Sequence, residues 1–202
     1  MAGHRGYDLG ALGLARAMAA HFKAPLHAAD TSRLLVDLNR SVGHPQLFSQ
    51  FTRALPQKDK ERILSDVYAS HRDPVEAAVR KHIMKGLKVV HIACHSFTPV
   101  LDGRVRSMDI GLLYDPARPG EQRFCAEWKT ALENALPGCR IRRNAPYKGI
   151  SDGMATHFRK LFSRGYLGIE LEMNQRHYFE NKPRWRRLCA AVIESLQRTI
   201  DR

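Results

Sequence analysis

Three stretches of the sequence end an apolar run on side chains that could move protons, bind a metal or hold an anion. Val89-Val-His-Ile-Ala-Cys94 leads directly into His95-Ser96. An imidazole at a strand end can coordinate a metal or shuttle protons, and it can equally be a hydrogen-bonded structural histidine. Tyr166-Leu-Gly-Ile-Glu-Leu-Glu172 carries Glu170 and Glu172 two residues apart. In a strand that spacing puts both carboxylates on one face. Near a metal such a carboxylate takes a proton from bound water, whereas on an exposed edge strand it is simply solvated. The third stretch, Arg33-Leu-Leu-Val-Asp-Leu38, ends at Asn39-Arg40. Arg40 offers a two-pronged partner to a carboxylate and Asn39 an amide donor beside it, although the same pair also suits a solvated loop. Asn144-Ala-Pro-Tyr147 adds one hydroxyl, that of Tyr147, within a run of turn residues. His21, His27, His71, His82 and His177 have no partner at ligand spacing and read as surface residues.

Hydrophobic spacing supplies the elements that must position these groups. From Leu9 to Phe22 apolar residues recur at helical spacing before Pro25. Arg33 to Leu38 has the nearly continuous apolar run of a strand covered on both faces, and residues 41 to 56 read as loop. Gln57 to Met84 is helical with an interruption near Asp73-Pro74, where proline lacks a donor and clashes with the preceding turn. Strands are predicted at Leu87 to Cys94, Met108 to Tyr114, Arg140 to Arg143 and Tyr166 to Glu172. Between and after them lie helices at Glu121 to Leu136, Asp152 to Phe162 and Lys182 to Thr199. Alternating strands and helices predict an α/β fold: a three-layer, mostly parallel or mixed sheet with helices on both faces, in one domain spanning residues 1–202. Ligands of such sheets bind beyond the carboxyl ends of the strands, where the polar groups above stand.

Composition narrows the class. With 202 residues, 44% hydrophobic and 26% charged, the chain is globular rather than low-complexity. It has neither the long uncharged apolar run of a membrane span nor an apolar leader, so a cytoplasmic location is expected, with no membrane partner. Four dispersed cysteines without a CxxC pair exclude a zinc-finger spacing or a disulfide framework. The balance of 33 basic against 20 acidic residues, a net +13, favours an anionic partner: nucleic acid, an acidic surface or a small carboxylate. Basic residues cluster in Arg140-Ile-Arg-Arg143 and Arg184-Trp-Arg-Arg187, but no nucleic-acid-binding signature accompanies them and a solvated basic face explains both.

Five motifs in order say more than any one of them. His4-Arg-Gly-Tyr-Asp-Leu-Gly-Ala-Leu12, Ser32-Arg-Leu-Leu-Val-Asp-Leu-Asn-Arg40, His95-Ser-Phe-Thr-Pro99, Arg143-Asn-Ala-Pro-Tyr147 and Gly168-Ile-Glu-Leu-Glu-Met-Asn-Gln175 span nearly the whole chain. This ordered set resembles the N-formylglutamate amidohydrolase family. That family is similar to zinc carboxypeptidases and to the enzymes that deacylate N-acyl aspartate and N-acyl glutamate. The resemblance implies a phosphorylase/hydrolase-like α/β sheet, a zinc ion, and hydrolysis of the amide of a small N-acyl amino acid such as N-formylglutamate. By motif, His95 corresponds to the strand-end metal ligand and Glu170 to the general base, with Glu172 as second candidate for that role. Asn39 and Arg40 correspond to a pair that holds the substrate carboxylate, while Asp8 and Tyr147 fall among pocket residues. The family pattern opens with a strand and a Glu-His motif that supplies further metal ligands, and this sequence starts after it. The resemblance therefore implies either an additional amino-terminal segment or a divergent member with weakened or absent zinc chemistry, with His4 or Asp8 as candidate substitute ligands. Two other readings stand beside the enzyme: a silent relative that binds an acyl amino acid without hydrolysing it, and a basic nucleic-acid-binding module.

Overall fold

The computed structural model describes residues 6–201. Its strands are β1 (Val89–Phe97), β2 (Val100–Leu101), β3 (Arg104–Val105), β4 (Ile110–Leu113), β5 (Ile141–Arg143) and β6 (Tyr166–Asn174). Its helices are α1 (Ala11–Phe22), α2 (Gln57–Ile63), α3 (Ser70–Met84), α4 (Pro119–Ala135), α5 (Met154–Leu161), α6 (Arg176–Glu180) and α7 (Lys182–Ile200), and a π-helical segment, Leu64–Ala69, joins α2 to α3. Four strands form a sheet of order β1-β6-β4-β5, while β2 and β3 make an antiparallel hairpin. β4 lies antiparallel to β6 and parallel to β5. Val89 N–H donates to Gly165 O at 2.7 Å near one end, and Gln175 N–H donates to Phe97 O at 3.0 Å near the other, so β1 and β6 run in the same direction. The α/β fold is thus built on a mixed sheet. No helix among the described residues is long and apolar enough to cross a membrane.

The chain divides into two compact units. The first takes in residues 25–90 and 152–167. Val75 and Val79 of α3, with Ile83 beside them, recur every four residues and meet Met154 and Phe158 of α5, together with Phe162, Tyr166 and Val89. The Phe158 ring meets Tyr166 edge-on at 6.0 Å, a favoured aromatic arrangement. The helical break expected at Asp73-Pro74 lies further upstream, in the π-helical residues 64–69, and Pro74 is carried inside α3.

The expected strand at 33–38 is a series of turns instead. Its apolar residues still enter a core, since Val36 is 1% exposed and clusters with Leu47 and Tyr68. Its backbone is satisfied by side chains and turns rather than by a ladder. Ser49 Oγ donates to Leu34 O, Thr52 Oγ1 to Leu35 O at 2.9 Å, and Asp37 N–H to Leu47 O at 2.8 Å.

The second unit holds residues 8–24, 91–151 and 168 onward. Here α4 packs on α7 through Phe124, Trp128 and Leu132 on one side and Leu188, Val192 and Leu196 on the other, each set at helical spacing. Trp128 Nε1–H donates to Ser195 Oγ at 3.0 Å, which satisfies the one polar group of a fully buried indole. Asn181 caps α7 by accepting the Arg184 N–H at 2.8 Å.

Strand alternation gives the sheet two unlike faces. Ile110 pairs with Met173 and Leu112 with Leu171, all of them 0% exposed. The intervening positions pair Gly111 with Glu172 and Leu113 with Glu170. Gly111 is required by a close approach: a Cβ there would stand 2.2 Å from the carbonyl oxygen of Ala145. The segment after β5 therefore lies on the face that carries both glutamates.

Asp109, 2% exposed just before β4, joins four pieces of this unit. Its carboxylate accepts the Arg140 N–H at 2.7 Å, His177 Nε2 approaches it at 2.6 Å, and Arg176 Nη2 donates to the same oxygen as His177. Its carbonyl accepts Asn174 N–H at 2.9 Å and its own N–H donates to Arg140 O at 2.9 Å. His177 is therefore not a surface residue; it is 4% exposed, on a five-residue helix too short to announce itself by periodicity.

Burial alone would raise the pKa of Asp109, but the Arg140 N–H, Arg176 and His177 outweigh it and hold the carboxyl below its usual range. Asp109→Ala should cost about 1–3 kcal/mol near neutral pH, because it leaves the buried His177 ring and the Arg140 N–H without their acceptor. A depressed folded pKa stabilises above the unfolded value and is lost as pH falls through the folded one, so the difference in Tm between wild type and variant should narrow below about pH 4. Circular-dichroism melts at pH 7 and pH 3 measure it.

Candidate functional site

His95 lies inside β1 rather than past its end, because the strand continues to Phe97. On a strand His95 and Phe97 share a face while Cys94 takes the other, where its Sγ lies 3.7 Å from Met18 Sδ of α1. His95 Nδ1 is 2.7 Å from Asp8 Oδ2, and about a fifth of each side chain is exposed. Asp8 is set there by the turn into α1: its carbonyl accepts the Ala11 N–H at 3.2 Å, and Gly10, at φ +80°, has no room for a Cβ against Trp185 and Tyr178.

Burial pushes the His95 ring toward its neutral form. The Asp8 hydrogen bond, the Asp8 charge, and then the charges of Glu172 and Glu170 outweigh this and carry its pKa up to about 9. Both glutamates sit within β6, which runs on to Asn174. Glu172 is 5% exposed, whereas Glu170 is half-buried and open to water. Asp8 is thus hydrogen-bonded to His95, and the charges of Glu170 and Glu172 act on the same imidazole. Tyr147 is exposed, and its hydroxyl accepts from Arg106 Nη1 at 3.0 Å.

Asn39 and Arg40 belong to the first unit, where they fasten the start of α5. Asn39 Oδ1 accepts the Met154 N–H at 2.8 Å and Arg40 Nη1 donates to Asp152 O at 2.6 Å. Ser41 binds the Asp152 carboxylate through both its N–H (2.8 Å) and its hydroxyl (2.6 Å), which outweighs burial and holds that carboxyl below its usual range. Buried Arg72 and Tyr68 shape the same turn: Arg72 Nη1 donates to Leu38 O at 3.0 Å and the Tyr68 hydroxyl to Arg40 O at 2.7 Å.

With this geometry in view, residues 1–179 match a model of the N-formylglutamate amidohydrolase family. The chain belongs to that family. This N-formylglutamate amidohydrolase-family chain is similar to a gene product of Agrobacterium tumefaciens of known crystal structure, at 26% identity and a TM-score of 0.82, over 99% of this chain and 80% of that one. The crystal structure of N-formylglutamate amidohydrolase from Ralstonia eutropha shares the fold, at 16% identity and a TM-score of 0.65, over 95% of this chain and 81% of that one. No relative was found among curated proteins.

A catalytic zinc takes three protein ligands and keeps a position open. His95 suits one of them. With Nδ1 bonded to Asp8, its Nε2 is the nitrogen left for a metal, an arrangement that orients metal-bound imidazoles. Among the described residues no group of three or more His, Cys, Asp or Glu side chains is arranged to hold a metal, so by themselves they do not make a zinc centre. His4, a possible substitute ligand, lies outside the described residues, and Asp8 is turned to His95.

The sequence placed Asp8 among the pocket residues or as a substitute metal ligand. It had no signal for the Asp8–His95 pair, which joins residues 87 positions apart. Because the folded pKa of His95 is raised, the pair stabilises the protein fully below the free-imidazole value of 6.5 and loses that contribution as pH rises through about 9. In metal-free protein Asp8→Asn should lower the His95 midpoint by roughly 1–2 pH units. Histidine ring NMR titration measures the shift.

Proposed function

We propose that this family member hydrolyses the amide of an N-formyl or closely related N-acyl group on an acidic amino acid, with N-formylglutamate as the representative substrate. The observation that carries the reading is the grouping of one imidazole, His95, with the carboxylates of Asp8, Glu170 and Glu172 within one unit of a family member. Glu170 is the general base, since it is open to water while Glu172 is buried. It takes a proton from water as the oxygen attacks the amide carbonyl carbon, and it returns that proton to the leaving amine as the C–N bond breaks. Asp8 holds the His95 ring in place through Nδ1, and the Glu172 charge acts on the same ring. Asn39 and Arg40 are assigned to a substrate carboxylate, a role compatible with the planar fork of arginine. Zinc belongs to the proposal with His95 Nε2 as a ligand; it requires donors beyond those gathered among the described residues, and no step is assigned to it.

A formate-release assay on N-formylglutamate, with metal content measured in parallel, tests the reading. Glu170→Gln should lower kcat by about 10²–10⁴-fold with little change in KM. Arg40→Ala should act mainly on KM. Full activity in Glu170→Gln with loss in Glu172→Gln would move the base to Glu172. Substrate binding without turnover by wild type would identify a silent relative.

A further inference from the structure

Arg106 has no part in the chemistry above, yet its position is closely held. Its N–H donates to Pro99 O at 2.8 Å and its carbonyl accepts Asn174 Nδ2–H at 3.0 Å, so the backbone is tied on both sides. Two aromatic rings flank its guanidinium, Tyr147 at 5.1 Å and Phe97 at 5.9 Å from the ring centroids. Nη1 donates to the Tyr147 hydroxyl at 3.0 Å. Aromatic contact occupies the faces of a guanidinium and leaves its N–H edge, with five donors in all, to hydrogen bonding. Among the described residues no carboxylate lies within ion-pair distance of Arg106.

Its neighbours tie it to the face of the sheet that carries the candidate catalytic groups. Phe97 follows His95 by two residues on the same side of β1. Tyr147 follows the Ala145 carbonyl, which occupies the space above Gly111 and so lies on the side where Gly111 pairs with Glu172. That face bears Glu170 and Glu172, and Asp8 meets His95 beside them; three carboxylates against one imidazole leave the site net negative, which disfavours an anionic substrate unless a further cation stands nearby.

We propose that Arg106 is this cation: it receives a carboxylate of the substrate on the free edge of its guanidinium, held in plane by Phe97 and Tyr147, and selects acidic N-acyl amino acids over neutral ones. The assignment rests on the amidohydrolase reading and deepens it from a substrate class to a specificity residue.

The test compares wild type with Arg106→Gln and Arg106→Lys on N-formylglutamate, N-formylglutamine and the α-amide of N-formylglutamate. Arg106→Gln should raise KM for N-formylglutamate by roughly 10- to 100-fold, the loss of a charged hydrogen-bonded pair. It should leave kinetics unchanged on whichever amide lacks the carboxylate that Arg106 holds, a split that general loosening of the fold would not produce. Arg106→Lys should recover part of the loss, because it restores charge without the fork, and melting curves check that both variants fold. Equal KM values for N-formylglutamate in wild type and Arg106→Gln would overturn the assignment and leave the amidohydrolase reading standing. Calorimetric titration with glutarate, a dicarboxylate with no amide to cleave, separates the two claims. Glutarate binding that is lost in Arg106→Gln, with no turnover of any substrate by wild type, would keep the carboxylate site and sink the amidohydrolase reading. Neither binding nor turnover by wild type would defeat both.

Discussion

The buried Asp109 carboxylate is the interaction on which the second unit depends. A charge in that position is costly unless it is paired and hydrogen-bonded, and here the Arg140 N–H, Arg176 and His177 do both. Satisfying one carboxylate therefore fixes the start of β4 and the approach to β5, and it anchors α6. Asn174, whose N–H reaches the Asp109 carbonyl, turns its side-chain amide to the carbonyls of Arg106 and Met108. The network thus reaches from the end of β6 to the residue proposed to read the substrate.

Sheet polarity then sorts the side chains. With Ile110, Leu112, Ile169, Leu171 and Met173 fully buried on one face, strand alternation leaves Gly111, Glu170 and Glu172 for the other. A side chain at Gly111 would fill the space that the Ala145 carbonyl occupies. Its absence lets the segment bearing Tyr147 lie against the same face as the glutamates. One missing Cβ thus decides whether Tyr147 can join Arg106 on the side of His95.

Electrostatics on that face is arranged around a single imidazole. Burial favours neutral His95, and three carboxylates reverse the preference. The same carboxylates outnumber the imidazole and leave the face net negative. Arg40, tied to the Asp152 carbonyl and 4.0 Å from Asp37, and Arg106, flanked by two rings, are held in different ways in different units. Each keeps part of its guanidinium edge for other partners.

Much of this was legible from local pattern. Period-two spacing placed Glu170 and Glu172 on one face, 3.6-residue spacing located α1, α4, α5 and α7 to within two or three residues, and the ordered motifs pointed to the family. Local pattern misread the apolar run at 33–38, because burial of Val36 against Leu47 and Tyr68 needs no strand when Ser49 and Thr52 satisfy the backbone. It missed β2, β3 and α6, which are too short to show a period. Composition and spacing determined which residue types could do chemistry and which faces of strands and helices were apolar, since both follow from backbone geometry over a few residues. Tertiary structure alone decided that Asp8 meets His95, that His177 is buried on Asp109, and that Arg106 stands between Phe97 and Tyr147. Each of these contacts joins residues distant in sequence, and their strength comes from burial and charge that exist only once the chain has closed on itself.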